Sequence, residues 1–303
     1  MEHDQDFNPV AGEPDDLGNG LRRIVAPNPS PMTFRGTNTY LLGQRDLAVI
    51  DPGPPDETHL AAILDALGAG QRISHIFVTH SHADHSPLAM TLAQITGAPI
   101  HAFGDSRAGR AAHMARFGNL GGGEGLDMTF MPDIHLSDGE TISGSDWSLS
   151  ALHTPGHMGN HLSFAWSEGQ ALFSGDLVMG WATSMVSPPD GDLTDFMSSL
   201  DRLSQRDQDQ IYYPGHGDAI EAPQARVAAL SAHRKSREAQ IRDALGAGPA
   251  SPSQIARAIY TDVSPRLLPA AERNVLAHLI DLTIRNVTEP QGEFAADAIF
   301  SLR

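Results

Sequence analysis

Hydrophobic and polar positions fall into short runs over the first two-thirds of the chain. Thr39-Tyr40-Leu41-Leu42-Gly43 and Asp46-Leu47-Ala48-Val49-Ile50 are strand-like, and the second ends at the turn Asp51-Pro52-Gly53-Pro54. The period then changes. From Glu57 to Leu67 the apolar residues Leu60, Ile63, Leu64 and Leu67 share one helical face. Ile73 to Thr79 is a short apolar run rich in β-formers, which predicts a buried strand delivering His80 at its C-terminal end. A helix is expected over Pro87 to Thr96 and a strand over Pro99 to Phe103. Further strands are expected at Trp147–His153, His161–Trp166, Ala171–Gly175 and Gln210–Tyr213. Strand-helix-strand order early and repeated short strands later predict a layered α/β fold.

Three stretches depart from this pattern. Residues 1–20 are rich in Asp, Glu and Gly and are expected to be a flexible lead-in to a catalytic domain spanning 21–222. Residues 104–130 contain the flexible stretch Gly118 to Gly125, which has no periodicity; a loop of this length is usually functional or disordered, and a lid is the candidate role. After Pro223 the chain turns helical, with helices expected at Ala225–Leu245, Ser253–Tyr260 and Ala270–Ile284 and a small hairpin or wing over Glu293–Leu302. Residues 223–303 therefore form a third unit, helical and winged-helix-like.

Composition narrows the chemistry. There is no cysteine, which removes disulfides, thiolate metal sites and Cys nucleophiles, so any metal must be held by the 15 histidines and by carboxylates. Residues 1–222 carry 10 basic and 29 acidic side chains, and residues 223–303 carry 10 and 8. An acidic lobe is a poor landing surface for long nucleic acid. Met1 to Asp16 is polar and acidic, with no apolar core of a secretion signal, and no run of 18 apolar residues occurs; a cytoplasmic, membrane-free protein is expected.

The strongest local signal is His80-Ser81-His82-Ala83-Asp84-His85, four metal-competent side chains within six residues at the end of a buried strand. A loop leaving a strand can curl so that His80 and His82 face one metal and Asp84 and His85 a second. Imidazole with carboxylate suits zinc, iron or manganese and hydrolytic chemistry. Three more candidates each follow an apolar strand beside glycine: His157 in Thr154-Pro155-Gly156-His157, Asp176 in Ser174-Gly175-Asp176, and His216 in Pro214-Gly215-His216-Gly217. Their repeated context points to a common centre at clustered strand ends. His153 and His161 are assigned to packing or hydrogen bonding, with a supporting role as the alternative; His75, His101 and His135 are read as structural or surface residues.

The order of Asp51, HxHxDH, TPGH, SGD and PGHG over roughly residues 38–220 resembles the metallo-β-lactamase superfamily. The resemblance implies a four-layer αβ/βα sandwich with two divalent metal ions at one edge of its two sheets, zinc foremost and iron or manganese as alternatives. It implies that His80, His82 and His157 hold the first metal and Asp84, His85 and His216 the second. Asp176 would bridge them, and Asp51 would fix loop geometry without ligating. A metal-bridging hydroxide would be the nucleophile, oriented by Asp84. An acid at position 176 argues against a dedicated antibiotic-hydrolysing enzyme. The tail, with Thr194 to Leu200, His233-Arg234 and Asn274 to Leu279, is similar to a branch with a C-terminal winged helix, some members of which are single-strand endoribonucleases. Two substrate classes stay open: a small ester, thioester or lactone, and single-stranded RNA. The acidic lobe and the single lysine, Lys235, favour the first.

Overall fold

The computed structural model describes residues 6–117, 120 and 125–303. Its first sheet follows the chain order β1 (Pro14–Gly18), β2 (Leu21–Val25), β3 (Asn38–Leu42), β4 (Asp46–Ile50), β5 (Arg72–Phe77), β6 (Ile100–Ala102) and β7 (Ile134–His135). Pairing is antiparallel from β1 to β4 and parallel from β4 to β7. Parallel pairing needs crossovers, and α1 (Glu57–Asp65) and α2 (Pro87–Thr96) supply the first two. Asp56 caps α1 by accepting from the His59 N–H at 2.9 Å, and Gly97, left-handed at φ 73°, ends α2.

The second sheet has the order β12-β11-β10-β9-β8, built from β8 (Thr141–Ser143), β9 (Ser148–His153), β10 (Leu162–Trp166), β11 (Ala171–Gly175) and β12 (Ile211–Pro214). α3 (Leu193–Ser204) connects β11 to β12, which pair in parallel. Strand alternation divides the core into layers. Tyr40, Leu42, Ala48 and Ile50 face Phe164 and Phe173 between the sheets. Their neighbours Leu41 and Val49 face Ile63 of α1 and Leu92 of α2 on the outside. On the far side Leu172 and Tyr212 pack against Phe196 and Leu200 of α3. The result is the αβ/βα sandwich.

The tail comprises α4 (Pro223–Gly246), α5 (Pro252–Ile259), α6 (Leu268–Ile284) and the hairpin β13 (Thr288–Pro290) with β14 (Phe300–Leu302). α4 begins two residues before the expected Ala225, and its two halves serve different cores. Val227 and Leu230 pack on the second sheet's outer face, whereas Ile241 and Leu245 join Ile255, Leu279 and Phe300 in a separate tail cluster. None of the described helices is long and apolar enough to cross a membrane.

The structure departs from expectation in three places. Within the expected lead-in, Pro14–Gly18 pairs with Leu21–Val25 through the two-residue turn Asn19-Gly20, both at positive φ (52° and 79°), a geometry suited to hairpins. Residues 1–5 lie outside the described residues. The wing starts earlier than Glu293, because Asn286 at φ 59° terminates α6 and lets Thr288 enter a strand. In the 104–130 stretch a 3-10 turn forms at Ala112–Phe117, and Met114 and Leu120 are buried in the tail's core. Gly118, Asn119 and residues 121–124, part of the glycine-rich segment expected to be mobile, lie outside the described residues.

Candidate metal centre

β4, β5, β11 and β12 all end at one edge of the sandwich, and each delivers part of the site. His80, His82, Asp84 and His85 follow β5, Asp176 follows β11 and His216 follows β12. His157 sits in the turn between β9 and β10. The sheets are joined here: the Leu162 N–H donates to the Thr79 carbonyl at 2.7 Å. Asn38 donates to the carbonyls of Pro214 and Gly217 at 2.9 and 2.8 Å. Glycine makes the convergence possible. A Cβ at Gly215 would lie 2.3 Å from Asp176 Oδ1 and 2.7 Å from His85 Cε1.

All seven expected residues come together. In one pocket His82 Nδ1 lies 2.9 Å from His80 Nε2 and 3.0 Å from His157 Nε2. In the other, His216 Nε2 lies 3.2 Å from Asp84 Oδ2 and 3.3 Å from both His85 Nε2 and Asp176 Oδ2. Asp176 lies between them, with Oδ1 3.6 Å from His85 Nε2 and Oδ2 3.7 Å from His157 Nε2.

The outward nitrogens decide what the inward ones can do. His157 Nδ1–H donates to the Met185 carbonyl at 2.7 Å and His216 Nδ1–H to the Gly36 carbonyl at 3.1 Å. His85 Nδ1–H donates to Asp51 Oδ2 at 2.9 Å. His80 Nδ1–H donates to Thr79 Oγ1 at 2.9 Å, and that hydroxyl donates to Asp51 Oδ2 at 2.7 Å. Each bond places a proton on the outward nitrogen, so that a ring, when neutral, presents its Nε2 lone pair inward. Asp51 thus orients His80 and His85 together without entering the pocket. Its backbone is left-handed at φ 51°, a strained setting for a non-glycine residue.

The pockets differ in charge. Burial, reinforced by neighbouring imidazoles, drives His80 well below its usual range and His82 down to about 3, and burial also lowers His157. Three neutral rings therefore aim lone pairs at one point. In the second pocket burial opposes protonation, but Asp84, Asp176 and Asp51 outweigh it at His85 and hold that ring well above its usual value. Asp176 and Asp84 likewise raise His216 to about 9. The carboxylates of Asp84 and Asp176 are lowered in turn despite burial, chiefly by His85 and His216.

This donor set fits divalent cations. Three groups, His80/His82/His157, His80/His85/Asp176 and Asp84/His85/His216, each bring their donor atoms within 4.8 Å of one another. The buried Asp176 Oδ1 accepts no hydrogen bond among the described residues, an orphan that a cation would satisfy.

Residues 32–216 match the metallo-β-lactamase superfamily, and residues 251–294 match the β-lactamase-associated winged helix domain. The chain belongs to the metallo-β-lactamase superfamily. Among its relatives is a β-lactamase-like protein 2 homolog of Drosophila melanogaster, 32% identical over 88% of each chain. An atrochrysone carboxyl ACP thioesterase of Aspergillus fumigatus is 31% identical over 78% of this chain and 68% of its own length. A β-lactamase domain protein from Burkholderia ambifaria shares the fold, with a TM-score of 0.81 at 22% identity over 99% of this chain and 96% of that one. The chain is accordingly a metal-dependent hydrolase of this superfamily, with a C-terminal helical domain.

His161, His153, His75, His101 and His135 lie outside the donor groups. His161 is fully buried; its Nδ1 meets Thr154 Oγ1 at 3.0 Å and its Nε2 accepts the Asp176 N–H at 3.2 Å, so it supports the Asp176 backbone from behind. His153 stacks on Phe103 at 3.9 Å. His75 and His101 stack on Phe77, and His135 is exposed on β7. Sequence reasoning missed Thr79, Thr37, whose hydroxyl lies 3.3 Å from Asp84 Oδ2, and the carbonyls of Met185 and Gly36. Thr79 adjoins the HxHxDH motif and was open to inference; a backbone carbonyl has no signature in sequence.

Proposed function

We propose that the protein uses two divalent cations to hydrolyse a small acyl substrate, a thioester foremost, with an ester or lactone in the same class. One cation would be held by His80, His82 and His157, the other by Asp84, His85 and His216, with Asp176 between them. Zinc suits donors that are all nitrogen and oxygen, as do iron and manganese. Two such cations, when bound, would activate water at neutral pH and polarise a carbonyl.

The observation that carries this reading is the cleft over the site. It measures about 770 Å³, has His82 and His157 in its wall, and is otherwise lined largely by apolar residues including Met32, Leu126, Met185 and Leu276. That volume is the size of a small-molecule pocket. Its far wall comes from the tail, so the winged-helix-like region covers the substrate. Asp84 is the least enclosed of the carboxylates, with 26% of its side chain exposed against 8% for Asp176. On this reading it orients the attacking water; its Oδ2 lies 3.3 Å from Thr37 Oγ1 and 3.2 Å from His216 Nε2.

Single-stranded RNA is the second reading, favoured by the winged-helix match. Against it, the cleft's cations Arg266 and Arg273 are outnumbered by Asp190, Glu272 and Asp297, a poor balance for phosphates. The zinc-loaded protein, incubated in parallel with acyl-pantetheine thioesters, lactones and labelled single-stranded RNA, separates the two. Thioester hydrolysis abolished by Asp84→Asn, with RNA intact, is expected. RNA cleavage abolished by the same substitution, with the acyl panel untouched, would replace this reading with an endoribonuclease.

A further inference from the structure

The loop that follows Asp176 passes between the metal centre and the tail, and its backbone is held by side chains of α4 and α6. Arg226 on α4 donates through Nε to the Met179 carbonyl and through Nη2 to the Ala182 carbonyl, both at 2.6 Å. Arg234, about two turns further along α4, donates through Nη2 to the Ser184 carbonyl and through Nη1 to Asn274 Oδ1 at 3.0 Å. Asn274 on α6 accepts the Val186 N–H with the same oxygen at 3.1 Å, while its Nδ2 donates to the Ala270 carbonyl and so fixes the amide's orientation. Residues 184 and 186 are therefore pinned from the tail. Between them lies Met185, whose carbonyl receives the His157 Nδ1–H at 2.7 Å.

Arg234 is an expensive way to hold a loop. Only 3% of it is exposed, and among the described residues no carboxylate pairs with it; it lies over the Phe196 ring at 4.9 Å. A buried cation without a counter-ion is costly unless its donors are used. Two of its nitrogens are spent on acceptors, one in the loop and one on Asn274, while Nε has no partner among the described residues. Arg234 and Asn274, singled out in the sequence without a role, thereby acquire one.

We propose that Asn274 and Arg234 are positioning residues of the metal centre: by fixing the backbone on both sides of Met185 they aim its carbonyl at His157 and hold that ring with Nε2 in the pocket. The tail then tunes metal affinity as well as covering the cleft. The inference rests on His157 being a ligand, as proposed above. Loss of a partner that orients a ligating histidine typically costs about 10- to 100-fold in metal affinity.

Zinc affinity of the full chain, measured by chelator competition, tests it. Asn274→Leu is expected to weaken the tighter zinc site about ten-fold. Asn274→Asp keeps an acceptor for Val186 and Arg234 and is expected to restore near-parental affinity. Thr194→Ala cuts another tie between α6 and the catalytic lobe, the 2.7 Å bond to Asp281 that does not reach the loop, and is expected to change nothing. If Asn274→Leu fails to fold, Arg234→Lys, which cannot hold Ser184 and Asn274 together, should show the same loss. Unchanged zinc affinity in the folded loop variants, or an equal loss in Thr194→Ala, would overturn the proposal. His157→Ala separates the two claims: parental affinity in that variant removes the ligand assignment itself, whereas a loss there without one in the Asn274 or Arg234 variants removes only the coupling.

Discussion

The two halves of the candidate metal centre, three histidines in one and two histidines with carboxylate in the other, stand in opposite electrostatic states. The pocket of His80, His82 and His157 is neutral: desolvation strips its rings of protons, and external hydrogen bonds turn the lone pairs of His80 and His157 inward. The pocket of Asp84, His85 and His216 is a network of charge, in which the carboxylates keep His85 and His216 protonated. The difference teaches that the cluster is not a uniform box of ligands. A cation entering the first pocket meets prepared lone pairs; one entering the second must displace protons. Asp176 lies between them, with Oδ2 3.3 Å from His216 Nε2 and 3.7 Å from His157 Nε2.

The sharpest way to break this comparison is Asp176→Asn. A neutral amide removes the shared carboxylate, and a loss of more than about 100-fold in turnover, beyond that of an outer partner, is expected together with loss of the second metal. Metal content by mass spectrometry alongside steady-state rates checks it. Asp51→Asn should come next. Asparagine tolerates the left-handed backbone, so the substitution isolates the carboxylate. Because Asp51 supports His85 directly and His80 through Thr79, both metal affinities are expected to fall, by about 10- to 100-fold, in a chelator titration.

pH sharpens the contrast further. His216 is raised from 6.5 to about 9 in the folded chain, so its pairing with Asp176 and Asp84 stabilises the metal-free fold fully below about pH 6.5 and is lost as pH rises through about 9. The same protonation competes with metal. Across that window the metal-free protein should lose thermal stability while the second pocket gains affinity, by up to about ten-fold per pH unit for each proton displaced. Melting curves and zinc titrations at matched pH check both signs. The smallest effect belongs to Thr37→Val. Removing one hydroxyl beside Asp84 forfeits a bond worth about 1 kcal/mol, so a few-fold drop in kcat with unchanged metal content is expected.

The site was more legible in the sequence than its supports. His80, His82, Asp84 and His85 announce themselves by density after a buried strand, and His157, Asp176 and His216 by recurring glycine at strand ends. The role of Asp51 came from the family resemblance, which its Asp-Pro-Gly turn helps to carry. The bonds that orient His157 and His216 come from the carbonyls of Met185 and Gly36, which any residue could supply, so no pattern exposes them. In the fold, short apolar runs marked β3, β4 and β9 to β11, and period 3.6 marked α1. The hairpin of β1 and β2 escaped notice although Asn19-Gly20 signals it, because acidic, exposed β1 has no buried face to show. The shared role of α4 was not legible either: a helix that serves two cores along its length has no single stripe.

Zinc titration of the metal-stripped protein by calorimetry, repeated in buffers of different ionisation enthalpy, tests the central claim most directly. It counts cations and protons together. The account predicts two zinc ions per chain, with more protons released by the second than by the first. Saturation at one zinc, or equal proton release in both steps, would contradict a centre made of one prepared pocket and one protonated pocket.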